Sequence, residues 1–122
     1  MAASVLILED DQLIGQMLSE LLREAGYQVV GPAASIESAR VLVAERGINA
    51  ALLDIDLGEE GLCFGLATML QAQHIPFAFL TGYNALLTPI EFRNSPRIGK
   101  PFSHEVVLTV VRHLLGDPPP TR

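Results

Sequence analysis

Five short apolar runs, "SVLIL" (4–8), "QVV" (28–30), "AALL" (50–53), "FAFL" (77–80) and "RIG" (97–99), alternate with segments whose apolar residues recur at helical spacing. The runs lack a polar face and end in Gly, Pro or acids, as strands buried on both sides of a parallel sheet do. Leu13, Ile14, Met17, Leu18, Leu21 and Leu22 form the first helical stripe, and Gly26 is placed to stop it. Ser35 is the expected cap of a second helix, with Ala39, Leu42 and Val43 inward and Gly47 beyond its end. A third helix is expected from about Leu62 to Gln73, halted before Pro76. Ser103 opens the last, whose Val106, Val107, Val110, Val111, Leu114 and Leu115 share a face before Gly116.

The stretch between the fourth and fifth runs, "YNALLTPIEFRNSP", contains Pro89 and Pro96, so a fourth helix there is expected to be short, near Leu86 to Phe92, or missing. Strands alternating with helices predict an α/β fold with a doubly wound five-stranded parallel sheet of the flavodoxin-like kind, and right-handed crossovers leave few other topologies. A chain of 122 residues holds one such domain, expected over residues 1–116, with 117–122 as a proline-rich tail.

Charge removes several function classes. Eight Lys and Arg face 14 Asp and Glu, a formal net charge of −6, which repels a nucleic-acid backbone. No apolar run approaches the roughly 20 residues of a membrane span, and "MAASVLILEDD" turns acidic too early for a signal peptide. The expectation is a cytoplasmic chain that binds neither nucleic acid nor membrane. Cys63 has no second cysteine to pair with and reads as buried filler. His74, His104 and His113 are too scattered for a metal triad and read as surface or helix-end residues.

In doubly wound sheets, ligands bind outside the carboxyl ends of the strands. There the first strand meets Glu9, Asp10 and Asp11; the third ends in Asp54 with Asp56 just beyond; the fourth ends in Thr81; the fifth in Lys100, followed by Pro101. Carboxylates from neighbouring strands raise one another's pKa unless a cation lies between them, and Mg²⁺ suits a few carboxylates, waters and a phosphate oxygen. Lys100 adds a point charge and Thr81 a hydroxyl donor, as phosphoryl transfer requires. A strand-end carboxylate supplies the nucleophile by forming an aspartyl phosphate, and Asp54 is the choice.

These residues carry a resemblance. "LILEDD", "LLDIDLG", "FLTG" and "KPF", in that order over nearly the whole chain, resemble the receiver domain of two-component response regulators. The resemblance implies that Glu9 and Asp10 are the acid pair, Asp10 binding Mg²⁺ directly and Glu9 through water, with Asp11 turned outward to open the first helix. It implies Asp54 as phospho-acceptor, Asp56 giving its backbone carbonyl to the metal, and Thr81 and Lys100 as the groups that stabilise the phosphoryl. It makes Pro101 the candidate for a cis peptide or loop-shaping residue. It implies a histidine kinase or histidine phosphotransfer protein as donor, a downstream protein partner, and a signalling domain rather than an enzyme.

Three departures narrow the resemblance. The proline usual after the acceptor strand is replaced by "DLGEEGL", the later intervals are a few residues short, and Arg97 stands where the family has an aromatic switch residue. "HIPFAFLTGY" is similar to stand-alone receivers marked by F-A-T-G-hydrophobic-Y, matching at Phe79, Thr81, Gly82 and Tyr83 but departing at Leu80 and Asn84. Tyr83 is then the alternative switch residue.

Two other readings compete. "LLDIDLG" also resembles the Asp-x-Asp motif of haloacid-dehalogenase-type phosphatases, with Asp54 as nucleophile and Asp56 as general acid. That family needs an acid pair after the lysine, where only Glu105 and Asp117 remain. The second is a receiver-shaped binding module that is never phosphorylated, which leaves a costly carboxylate cluster without a use.

Overall fold

The computed structural model describes residues 2–58, 61–82 and 88–116. Along them run β1 (Ser4–Leu8), α1 (Gln12–Glu24), β2 (Gln28–Ala33), α2 (Ile36–Glu45), β3 (Ala50–Asp54), α3 (Phe64–Ala72), β4 (Phe77–Thr81), a 3₁₀ helix (Ile90–Phe92), β5 (Arg97–Gly99) and α4 (His104–Leu114). The strands form one parallel sheet in the order β2-β1-β3-β4-β5. β1 therefore lies beside both β2 and β3, and the chain reverses its winding direction between β1 and β3.

The pleat divides the core. Val5, Ile7, Leu52, Ala78, Leu80 and Ile98 pack with Leu18 and Leu22 of α1 and Val107 and Val111 of α4. The alternate residues, including Leu6, Leu8, Leu53 and Phe79, pack with Ala39 of α2, Leu66 and Leu70 of α3, and Phe92 of the 3₁₀ helix. Every residue of β3 and β4 is buried, so helices cover both faces of the central strands.

Ser35 and Ser103 accept from the backbone N–H of Ser38 and Val106 and so cap α2 and α4. Gly26, with φ 96, ends α1 and donates to the Arg23 carbonyl. The buried stripe of α1 is Gly15, Leu18, Ser19 and Leu22, narrower than its apolar pattern, and Leu13 is 78% exposed. Gly15 faces Pro32: a Cβ at Gly15 would sit 3.1 Å from the Pro32 Cβ, so the helix lies almost on that ring.

β2 runs three residues past "QVV". Its pairing with β1 shifts between Leu6 and Leu8, and Gly31 takes φ 99, where a Cβ would meet the Ala33 nitrogen at 2.6 Å. As an edge strand, β2 tolerates Pro32 without losing an interior ladder bond. α3 starts at Phe64 rather than about Leu62, because Leu62 is taken up in an antiparallel bridge with Asp56. Between β4 and β5 the described residues hold only the 3₁₀ helix, as the two prolines lead one to expect. Leu86, Tyr83 and the tail 117–122 lie outside the described residues. Among the described residues, no helix is long and apolar enough to cross a membrane.

Candidate functional site

The three consecutive acids after β1 have different surroundings. Asp11 is the N-cap of α1, its Oδ1 accepting from Leu13 N at 2.9 Å and Ile14 N at 3.1 Å. Asp10 is exposed, whereas Glu9 is 2% exposed and held in the sheet by donating its N–H to the Ala33 carbonyl. Glu9 Oε2 accepts from Asp11 N at 3.2 Å, which bends the chain from strand into helix with the Glu9 carboxylate aimed across the strand ends.

Asp54 is the last residue of β3 and is 5% exposed. Its Oδ1 accepts from Asp56 N at 3.4 Å. Carboxylate oxygens of Glu9, Asp10 and Asp54 lie within 4.8 Å of one another. Lys100, one residue past β5, reaches back over β4 to place Nζ 2.9 Å from Glu9 Oε1 and 3.3 Å from Asp54 Oδ1. Thr81 ends β4 and is buried; its carbonyl accepts from Lys100 N at 2.6 Å, which fixes the lysine backbone beside it. The Lys100–Pro101 peptide bond is cis. Glu9, Asp10, Asp54 and Lys100 line a cavity of about 390 Å³ that Asp11, Ile14, Asp56 and Gly82 also border.

Burial pushes the Asp54 carboxyl up to about 7; the hydrogen bond and charge of Glu9 push the same way, and Lys100 only partly opposes them. Burial alone depresses the Lys100 ammonium, but its contacts with Glu9 and Asp54 outweigh this and hold it above its ordinary value. Cys63 is buried, and burial followed by the charge of Asp54 pushes its thiol up to about 12, so it is no nucleophile at neutral pH.

Asp56 borders the same cavity, but its carboxylate is not among the three that converge. Its Oδ1 accepts from Gly58 N at 2.9 Å, opening a turn in which Leu57 N donates to the Gly61 carbonyl and Gly61 N to the Gly58 carbonyl. Gly58 has φ 65, and a Cβ there would lie 3.9 Å from Asp10 Oδ2. Sequence pattern alone gives Gly58 no role, although a glycine two residues after an acid suits a left-handed turn.

Arg97 opens β5 on the side of Phe79, away from the carboxylates. Tyr83 is outside the described residues. A second cavity, of about 470 Å³, opens at the opposite edge of the sheet, where His74 and His113 both border it without a carboxylate or a lysine. Glu105, in the first turn of α4, is not among the converging acids that a phosphatase would need it to join, and Asp117 lies outside the described residues.

The response regulator receiver domain profile matches residues 5–112. FleR, a response regulator protein of Pseudomonas aeruginosa, is 29% identical over 98% of this chain but 26% of its own length. The chain spans between 26% and 50% of the length of the curated relatives it matches. Among solved structures, SdrG of Sphingomonas melonis Fr1 superposes with a TM-score of 0.82 at 33% identity, over 93% of this chain and 97% of SdrG. The anti-anti-sigma factor PhyR of Bartonella quintana gives 0.79 at 26% identity, over 95% of this chain and 48% of PhyR.

Proposed function

The chain belongs to the response regulator receiver family, a family of signalling domains, and from that premise we propose that Asp54 is its phospho-acceptor. The observation that carries this reading is the placement of the Asp54 carboxylate, buried at the tip of a central strand, against Lys100 and among the Glu9 and Asp10 carboxylates. A carboxylate oxygen of Asp54 attacks the phosphorus of a phosphohistidine on a kinase or phosphotransfer protein. The P–N bond breaks, the imidazole leaves, and an acyl phosphate forms. Lys100 shifts from Glu9 toward a phosphoryl oxygen, and the Thr81 hydroxyl donates to another.

The donor set suits Mg²⁺. It is made of carboxylate oxygens without nitrogen or sulfur, as a hard cation prefers. Asp10 and Asp54 would hold the ion directly, Glu9 through water, and Asp56 through its carbonyl, since its carboxylate is engaged by Gly58 N. Bound there, Mg²⁺ supplies charge neutralisation for the incoming phosphoryl.

For output, the likeness to an anti-anti-sigma factor supports a protein partner over DNA, as does the net charge of −6. The location that fits a phosphohistidine donor is the cytoplasm. Incubation with acetyl phosphate and Mg²⁺ should label the protein with hydroxylamine-sensitive phosphate, and Asp54→Asn should abolish it. Unchanged labelling of the variant would overturn the assignment.

A further inference from the structure

α1 and α3 end on the same backbone turn. In α1 the N–H of Gly26 donates to the Arg23 carbonyl and that of Tyr27 to the Leu22 carbonyl; in α3 the N–H of His74 donates to the Gln71 carbonyl and that of Ile75 to the Leu70 carbonyl. α4 closes in a similar way, with Gly116 N donating to the His113 carbonyl. Such an ending takes a left-handed residue, and the chain supplies glycine after α1 and α4, with φ 96 and 73, but His74 after α3, with φ 60. Among the described residues, His74 is the one non-glycine with positive φ. Its Cβ crowds the backbone in that conformation and glycine would not, so the imidazole stands there against the local preference.

Backbone outliers of this kind gather at ligand sites, and a second histidine stands beside this one. His74 borders the cavity of about 470 Å³ together with His113, in the last turn of α4, and with Gln71 and Ser95. Phe77, which opens β4, and Pro96, which precedes β5, also line it, so the cavity lies at the amino ends of the strands, away from the acids at their carboxyl ends. Both histidines are exposed, which leaves their rings free to turn toward it. α3 and α4 both end here, and the negative ends of two helix dipoles favour a cation. Two of the three histidines that are scattered in sequence therefore become a pair in space.

We propose that His74 and His113 form a two-imidazole site for a borderline divalent ion of the Zn²⁺ class, with the Gln71 amide oxygen, the Ser95 hydroxyl and water available to complete four-coordination. Neutral imidazole nitrogens suit such an ion, whereas the carboxylates at the other edge suit Mg²⁺, so ligand chemistry sorts the two ions between the two sites. The bound ion ties the end of α3 to the end of α4 across the starts of β4 and β5. It stabilises the fold and takes no part in phosphoryl transfer.

The test is imidazole ¹H–¹⁵N NMR in excess Mg²⁺, which competes for the carboxylates, with Zn²⁺ titrated into the wild type, His74→Gly and His113→Ala. In the wild type, the ring signals of His74 and His113 should shift together and saturate at one equivalent, while those of His104, at the other end of α4, stay in place. Each substitution should weaken Zn²⁺ binding by about tenfold or more, because the remaining imidazole loses the effective concentration of its partner. His74→Gly also separates ligation from structure. Glycine suits the left-handed turn, so without Zn²⁺ this variant should melt at or above the wild-type temperature, yet lose the rise in melting temperature that Zn²⁺ gives the wild type. Independent shifts of the two rings, or a His113 response in His74→Gly as strong as in the wild type, would mean an adventitious ion only and would overturn the pair.

Discussion

Lys100 Nζ lies 2.9 Å from Glu9 Oε1, nearer than the 3.3 Å that separates it from Asp54 Oδ1. The resting ammonium is shared between two acids and favours the one that is not the proposed nucleophile. A lysine placed this way neutralises part of the cluster before any cation arrives, and its flexible stem lets it change partners without moving the backbone.

Removing that ammonium should act on Asp54 twice. Lys100→Met takes away the group that opposes burial, so the Asp54 carboxyl should titrate still higher than about 7, read by carboxyl-carbon NMR. Phosphoryl uptake should fall by roughly 10²–10³, the usual loss for one donor to developing charge. An unchanged Asp54 titration would contradict the contact.

The raised Asp54 pKa also makes stability depend on pH. Its folded value of about 7 exceeds the ordinary carboxyl value of 3.8, so between these the folded state holds a proton that the unfolded chain has released. Without divalent cations, the contribution from Asp54 should therefore decline as pH rises from about 4 to about 7 and level off above. Thermal melts at pH 5 and pH 8 should show the drop, Mg²⁺ should recover it at pH 8, and Asp54→Asn should remove this component.

Adjacent acids should separate by assay. Asp11→Ala removes the cap of α1 and should cost about 0.5–2 kcal/mol in urea unfolding, with Mg²⁺ affinity nearly unchanged. Asp10→Ala should weaken Mg²⁺ binding by tenfold or more, roughly the effect of 1.4 kcal/mol, with little loss of stability. Reversed outcomes would exchange the two assignments.

Gly58→Ala forces a side chain into a left-handed conformation at φ 65 and should destabilise the protein by about 1–2 kcal/mol. Its new methyl faces Asp10 Oδ2, so Mg²⁺ affinity should fall in the same variant. Gly47→Ala, where a Cβ meets nothing within 4 Å and no left-handed φ occurs, is the control that should do neither.

Much of this was legible in the chain. The alternation of strand runs with helical stripes led to the doubly wound sheet, and Ser35, Ser103 and Gly26 marked helix ends that the structure places there. These signals are local, and local chemistry writes them: a hydroxyl that accepts an N–H, a glycine that takes positive φ. Elsewhere tertiary contact overrides the local pattern. Gly-Pro reads as a strand stop, yet β2 continues through Gly31 and Pro32 because an edge strand accommodates a bulge. Leu13 and Met17 read as core, yet the buried face of the helix is Gly15, Leu18, Ser19 and Leu22, with Gly15 set against Pro32.

The acids at the strand tips mark the same division. Their order along the chain, with Glu9, Asp10 and Asp11 after one strand and Asp54 and Asp56 at another, follows from residues alone, as does the expectation that the sheet brings them to one edge. What each does is decided by the folded surroundings. Carboxylates are chemically alike; they are told apart by which N–H reaches them, how far a lysine stands and how much water is excluded. Those quantities make Asp11 a cap, pair Glu9 with Lys100, occupy the Asp56 carboxylate with Gly58 and raise Asp54 toward neutrality. All depend on distances between strands remote in sequence, which exist only once the sheet has formed.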